Sequence, residues 1–171
     1  DEIQGQSESL ARKPDPAGVF YLLEKMPYYD NYVKSEKYVN DSMFTHFANH
    51  FHELGKMTWG IIGLGAIGKR VADLAKAFGC HVIYYSTSGN HTEDAYERVD
   101  FDTLLTTSDI VSVHAPLTEQ TEHLMNAAAF AKMKRSAIFI NVGRGPIVVE
   151  ADLADALEQG AIAAAGLDVL S

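Results

Sequence analysis

The chain has 171 residues, a net charge of −9, 47% apolar residues and 22% charged ones. That is enough chain for one domain with a sizeable core, and its acidity argues against a nucleic-acid partner. No apolar run is long enough for a membrane-spanning helix, and the single cysteine, Cys80, excludes an internal disulfide and fits a reducing, cytoplasmic setting.

Residues 1–18 are polar, contain Pro14, Pro16 and Gly18, and show no period, so they read as a disordered or loosely attached segment. From there, 19–171 reads as one domain. A helix is expected from about Ala17 to Lys37, where Val19, Leu22, Leu23, Met26 and Val33 recur at helical spacing, with a kink or early break at Pro27. Phe20, Tyr28, Tyr29 and Tyr32 add more aromatic surface than one helix on a sheet needs, which points to a partner subunit and a homodimer. In Met43 to His52, His46, His50 and His52 have no acidic residue in a known zinc pattern, so packing is the better reading and no metal site is expected.

The next stretch, Thr58 to Ser86, organises the chain. An apolar run from Trp59 leads into Gly63-Leu64-Gly65-Ala66-Ile67-Gly68. A helical pattern follows, with Ile67, Val71, Leu74, Ala75 and Phe78 expected on its packed face, and Gly79 ends it before a second apolar run, His81 to Tyr85. A G-x-G-x-x-G turn between a strand and a helix is a dinucleotide-binding signature. Gly63 permits the tight turn, Gly65 lets a pyrophosphate approach the backbone, and Gly68 allows close packing of helix and sheet. The first-turn N–H groups near Ala66 and Ile67 then serve the phosphates.

Beyond Ser86-Thr87-Ser88, the pattern predicts a short strand over Tyr96–Asp100, a helix over Asp102–Thr107 and a strand over Asp109–His114. Asn126 caps a helix over Ala127–Met133, whose C-terminal dipole Lys134 and Arg135 complement. Ala137–Val142 is a buried strand, Gly143-Arg144-Gly145-Pro146 a turn, Glu150–Gln159 a helix stopped by Gly160, and Ala161–Leu170 a last apolar strand broken by Asp168. Alternating strands and helices with continuously apolar strands argue for an α/β fold. The expected architecture is a doubly wound parallel sheet of Rossmann type, strand order 3-2-1-4-5-6, with an N-terminal helix and arm.

Three features fall at the carboxyl ends of strands, where this architecture holds its ligand: His114-Ala115-Pro116-Leu117-Thr118, Asn141-Val142-Gly143-Arg144-Gly145, and Asp168. His114 reads equally as a hydrogen-bonded strand-end histidine. Arg144 between two glycines is the sharpest, because its planar fork of donors suits a carboxylate.

With GIIGLGAIGKRVA, VSVHAPLTEQTEHLMN, INVGRGPIVVEADLADAL and AAAGLDVL in this order, the chain resembles the D-isomer-specific 2-hydroxyacid dehydrogenases from about Val19 to Leu170. The resemblance implies an NAD- or NADP-dependent oxidoreductase that interconverts 2-oxo acids and D-2-hydroxy acids. By the same resemblance, Arg144 is the catalytic arginine, Ala66 and Ile67 meet the pyrophosphate, and Ala115, Pro116 and Thr121 line the cofactor with Thr118 beside them. Val142 and Gly143 lie on the nicotinamide side, and Asp168 meets the carboxamide. The family's catalytic histidine and glutamate lie downstream of Asp168, past Ser171, and its substrate domain uses both chain ends. The expectation is a nucleotide-binding domain without its substrate domain, inactive by itself. A nucleotide-sensing or corepressor-like module of the same fold is the alternative. The acidic residue that takes the ribose 2′-hydroxyl of NAD is replaced by Ser86, with Thr87 following. The absence of a carboxylate tilts the expectation slightly to NADP, although no arginine stands in that turn to hold a 2′-phosphate.

Overall fold

A computed structural model describes residues 10–11, 16–40, 46, 53–89 and 94–170. His50, His52, His91, Phe44, Phe47 and Phe51, and most of the arm expected over 1–18, lie outside the described residues. Seven parallel strands form one sheet: β1 (Leu10–Ala11), β2 (Thr58–Ile62), β3 (His81–Tyr85), β4 (Glu97–Arg98), β5 (Ile110–Val113), β6 (Ile138–Asn141) and β7 (Ala164–Leu167). Their order is β1-β7-β6-β5-β2-β3-β4. Without β1, that is the expected 3-2-1-4-5-6 order. The addition is β1, which pairs Leu10 with Ala165 in a stretch read from the sequence as loose.

The helices are α1 (Pro16–Leu23), α2 (Met26–Lys34), α3 (Ala66–Ala77), α4 (Phe101–Thr107), α5 (Ala127–Phe130) and α6 (Glu150–Glu158). The expected N-terminal helix is two helices. The break comes at Glu24–Lys25, where Lys25 adopts φ 47°, and Pro27 then falls in the first turn of α2, where its missing N–H costs nothing. His46 stacks on Tyr32 with ring centroids 4.0 Å apart and hydrogen-bonds the Tyr28 hydroxyl at 2.7 Å, which gives it a packing role. Among the described residues no cluster of histidine, cysteine and carboxylates is arranged to hold a metal, and no helix is long and apolar enough to cross a membrane.

Two apolar layers cover the sheet. Ile62, Val111, Val113 and Phe139 pack toward α4, α5 and α6 with Leu104, Phe130 and Leu153, while Trp59, Ile61, Tyr84 and Ile140 pack with Val19 of α1 and Ala72 and Ala75 of α3. The packed face of α3 is only partly the one expected: Ala75 is buried and Val71 packs against the core, but the large residues Ile67, Leu74 and Phe78 do not. Gly68, Ala72 and Ala75 are buried, whereas Ile67, Leu74 and Phe78 are 69%, 47% and 48% exposed. The helix lies too close to the sheet for large side chains. A Cβ on Gly68 would meet the Gly63 carbonyl oxygen at 2.3 Å and Ile61 Cγ2 at 3.4 Å.

Smaller departures also have local causes. The helix expected from Asp102 starts at Phe101 and is capped by Asp100: its Oδ1 accepts from Thr103 N at 2.8 Å, and the Thr103 hydrogen bonds hold its carboxyl below the usual carboxylate range. Asn126 caps α5 as expected, accepting from Ala129 N at 3.2 Å, but α5 stops at Phe130. Lys134 therefore serves the sheet instead of a helix dipole. Its Nζ donates to Asp109 Oδ1 at 2.7 Å, and Asp109 Oδ2 accepts from Thr58 N at 2.8 Å. The last strand is β7 alone, and Asp168 lies just past it, exposed to water.

Candidate functional site

The strand order reverses direction between β2 and β5, and a doubly wound sheet opens its ligand crevice at that point, above the carboxyl ends of the strands. Three loops converge there on the backbone of Ala115. Gly63 turns at φ +91°, and a Cβ on it would stand 2.8 Å from Ala115 N. On the other side, a Cβ on Gly143 would stand 2.9 Å from Ala115 O. Both positions are closed to any side chain, and Gly63 also needs a backbone conformation that other residues rarely adopt.

Gly65 is the opposite case. It is the N-cap of α3 in an extended conformation, and a Cβ on it would meet nothing within 4 Å. It brings no side-chain cap to the first-turn N–H groups of Ala66, Ile67 and Gly68, so a helix N-terminus and an open approach coincide. This is a cradle that a dinucleotide pyrophosphate fits. Ala66 and Ile67 are both exposed.

The remaining loops are held by buried polar side chains. After β5, Thr121 is 1% exposed. Its Oγ1 accepts from Thr118 N at 2.8 Å and donates to Pro116 O at 2.7 Å, so Thr121 braces the loop from inside while Pro116 and Thr118 are exposed. After β6, Asn141 is fully buried; its Oδ1 accepts from Gly143 N at 3.1 Å and its Nδ2 donates to Arg144 O at 3.1 Å. The side chain of Asn141 thus shapes the Val142-Gly143-Arg144 turn. The sequence signal for it was a polar residue ending an apolar run. Arg144 is exposed, and its Nη1 donates to Gly143 O at 2.8 Å. Asp168 N donates to Asn141 O at 3.0 Å, which seats Asp168 beside this turn. Ser86 and Thr87 follow β3 at the other end of the row, and the Ser86 hydroxyl is buried, not presented at the surface.

His114 belongs to the sheet. Trp59 Nε1 donates to Ser112 Oγ at 2.9 Å, and Ser112 Oγ lies 3.0 Å from His114 Nε2. The Ser112 oxygen has two lone pairs and one proton, enough to accept from Trp59 and either accept from or donate to Nε2, while His114 Nδ1 is buried with no hydrogen-bond partner among the described residues. Burial pushes the His114 pKa down to about 4. Ser112 and Trp59, read from the sequence only as strand residues, fix this histidine in place.

Residues 17–171 match the family model described as D-isomer specific 2-hydroxyacid dehydrogenase, NAD binding domain. The glycerate dehydrogenase of Methylorubrum extorquens is 38% identical over 153 residues, which are 90% of this chain and 47% of that enzyme. The D-lactate dehydrogenase of Lactobacillus jensenii, solved with NAD+, superposes with a TM-score of 0.77 at 35% identity, over 90% of this chain and 45% of its own. An acyclic imino acid reductase in complex with NADPH and D-Arg gives 0.80 at 32% identity, over 90% and 48%. The chain thus spans about half the length of each of these proteins. With the glycine turn, the Ala115 junction and the arginine turn all in place on the expected sheet, the chain belongs to the D-isomer specific 2-hydroxyacid dehydrogenases, and residues 17–171 are their NAD binding domain.

Proposed function

We propose that this domain binds NAD or NADP, with some preference for NADP, and serves an oxidoreductase that interconverts 2-oxo acids and D-2-hydroxy acids. One observation carries the reading: Gly63 and Gly143 both press on Ala115 at the switch point, which draws the phosphate turn and the arginine turn to one crevice. When bound, the nicotinamide supplies or takes up a hydride. The chain's own residues do the rest. Gly63, Gly65 and Gly68 shape the turn, and the backbone of Ala66 and Ile67 receives the pyrophosphate. Ser86 and Thr87 lie by the adenosine ribose. Ala115, Pro116, Thr118 and Thr121 form or brace one wall, and Val142, Gly143 and Asp168 the nicotinamide end. Arg144 is the catalytic residue, holding the substrate carboxylate by paired hydrogen bonds. The relatives act on glycerate and lactate by name, both 2-hydroxy acids.

Turnover by the 171-residue chain is expected to be slight. The strand-end histidine, His114, is half-buried, neutral and hydrogen-bonded to Ser112, so it is not placed to protonate a substrate oxygen. A missing general acid costs about 100- to 10,000-fold in rate. The domain is also expected to form a homodimer through α1 and α2. Tyr21, Met26 and Val33 are 43–55% exposed there, Tyr38 and Val39 in the 3-10 turn just after α2 are 53% and 63% exposed, and Phe20 meets Phe78 edge-on at 5.0 Å, which joins this surface to the exposed apolar stripe of α3.

The test is binding of NADH and NADPH followed by fluorescence, with hydroxypyruvate, pyruvate and glyoxylate reduction assayed in parallel. Saturable binding with little turnover is expected. Absence of binding by either cofactor overturns the reading, and rapid turnover overturns the assignment of the general acid to residues other than these.

A further inference from the structure

The turn after β3 holds a cation that the sequence does not place there. Arg98, in β4, donates from Nη2 to the Gly89 carbonyl at 3.0 Å. Parallel pairing explains the reach. Tyr84 is the register partner of Arg98, and Val99 N donates to Tyr84 O at 2.9 Å, so Arg98 lies level with the residue two before Ser86. Register partners share a face, as do residues two apart along a strand. Arg98 therefore leaves the sheet on the face of Tyr84, the one that α3 covers, and on the side where the phosphate turn begins. Glu97 alternates to the opposite face and meets His81 Nε2 at 3.5 Å. Gly89 N donates to Ser86 O at 3.2 Å and closes the turn, with Gly89 at φ +72°.

We propose that Arg98 reads the 2′ position of the adenosine ribose and selects a 2′-phosphate over a 2′-hydroxyl. This rests on the cofactor reading above and adds the residue that decides it. Where an acid stands at the end of the second strand of such a fold, it takes the ribose hydroxyl of NAD; where an arginine stands nearby, it accommodates the 2′-phosphate. Here the acid is replaced by Ser86, 5% exposed, whose Oγ is buried without a hydrogen-bond partner among the described residues. Ser86-Thr87-Ser88-Gly89 carries no charge of its own. Arg98 brings a guanidinium to this turn through the Gly89 carbonyl. Arg98 is exposed, so it gives up little hydration in meeting a phosphate, and its planar fork matches phosphate oxygens in a way an ammonium does not.

The experiment titrates the 171-residue chain, Arg98→Gln and Arg98→Lys with NADPH, NADH, adenosine 2′,5′-bisphosphate and ADP at fixed salt. Arg98→Gln is expected to weaken NADPH and the 2′,5′-bisphosphate by about tenfold or more, and NADH and ADP by no more than about twofold. Arg98→Lys should recover part of the NADPH affinity. NADPH binding that Arg98→Gln does not change overturns the proposal. Equal losses for both cofactors also overturn it, because Arg98 is then only a clip on the turn. So does a wild type that binds NADH tightly and NADPH hardly at all. A wild type that binds neither cofactor overturns the cofactor reading itself.

Discussion

Gly68 lies against the carbonyl of Gly63: a Cβ on Gly68 would stand 2.3 Å from that oxygen. The contact joins the first turn of α3 to the end of β2 and sets the distance between them. Helix propensity alone favours alanine over glycine at such a site by about 1 kcal/mol. The clash is with backbone, which cannot swing aside, and overpacking of that kind costs about 1–3 kcal/mol. Gly68→Ala is therefore expected to lose stability on balance, and cofactor affinity with it as the phosphate turn opens. Urea unfolding of the variant beside the wild type checks the sign; a more stable variant with normal binding refutes it.

Gly65 tests the same turn without the packing. A Cβ there meets nothing within 4 Å, so Gly65→Val should unfold at nearly the wild-type temperature. Its branched side chain would occupy the approach to the α3 N-terminus, and NADH and NADPH binding should both be lost. Calorimetry and a fluorescence titration on one preparation separate the two effects. Unchanged affinity in the folded variant would reduce the glycine turn to a structural element.

His114 makes stability depend on pH. Its ordinary pKa of 6.5 falls to about 4 in the folded chain because it is buried, so the unfolded state binds the proton more readily. Its contribution is complete above pH 6.5 and is lost progressively as pH falls toward about 4. A gap of that size is worth about 3 kcal/mol. His114→Gln should remove this part of the acid slope, so its stability difference from wild type should narrow as pH falls across that window. Chemical denaturation at pH 7.5 and pH 4.5 reads the difference directly, and parallel pH profiles for the two proteins would contradict the assignment.

The dimer expectation has described residues to act on. Val33 and Tyr38 are 55% and 53% exposed on the α2 side, away from any sheet contact that a charge would disturb. Val33→Asp together with Tyr38→Asp should give a folded monomer where the wild type sediments at about twice the chain mass. A wild-type monomer at tens of micromolar counts against the interface.

What local sequence determines here is what a short window of residues controls. The G-x-G-x-x-G turn between two apolar runs sets a strand, a tight turn and a helix. Asn126 and Gly79 mark helix ends by their own chemistry, and the alternation of apolar runs with helical patterns marks a doubly wound parallel sheet. Tertiary structure decides whatever depends on two segments meeting. The packed face of α3 follows from its distance to Gly63, which admits glycine and alanine and leaves Ile67, Leu74 and Phe78 outside; hydrophobic spacing weighs large residues and so centres the face away from Gly68 and Ala72, keeping only Ala75 and Val71. His114 is settled by Ser112 and Trp59, one on a different strand. The turn after β3 contains no arginine in its own sequence, yet it carries one, because parallel pairing lays β4 beside β3 and brings Arg98 to Gly89. Such contacts leave no local signature, since the hydrogen bonds that make them join residues whose neighbours in the chain are elsewhere.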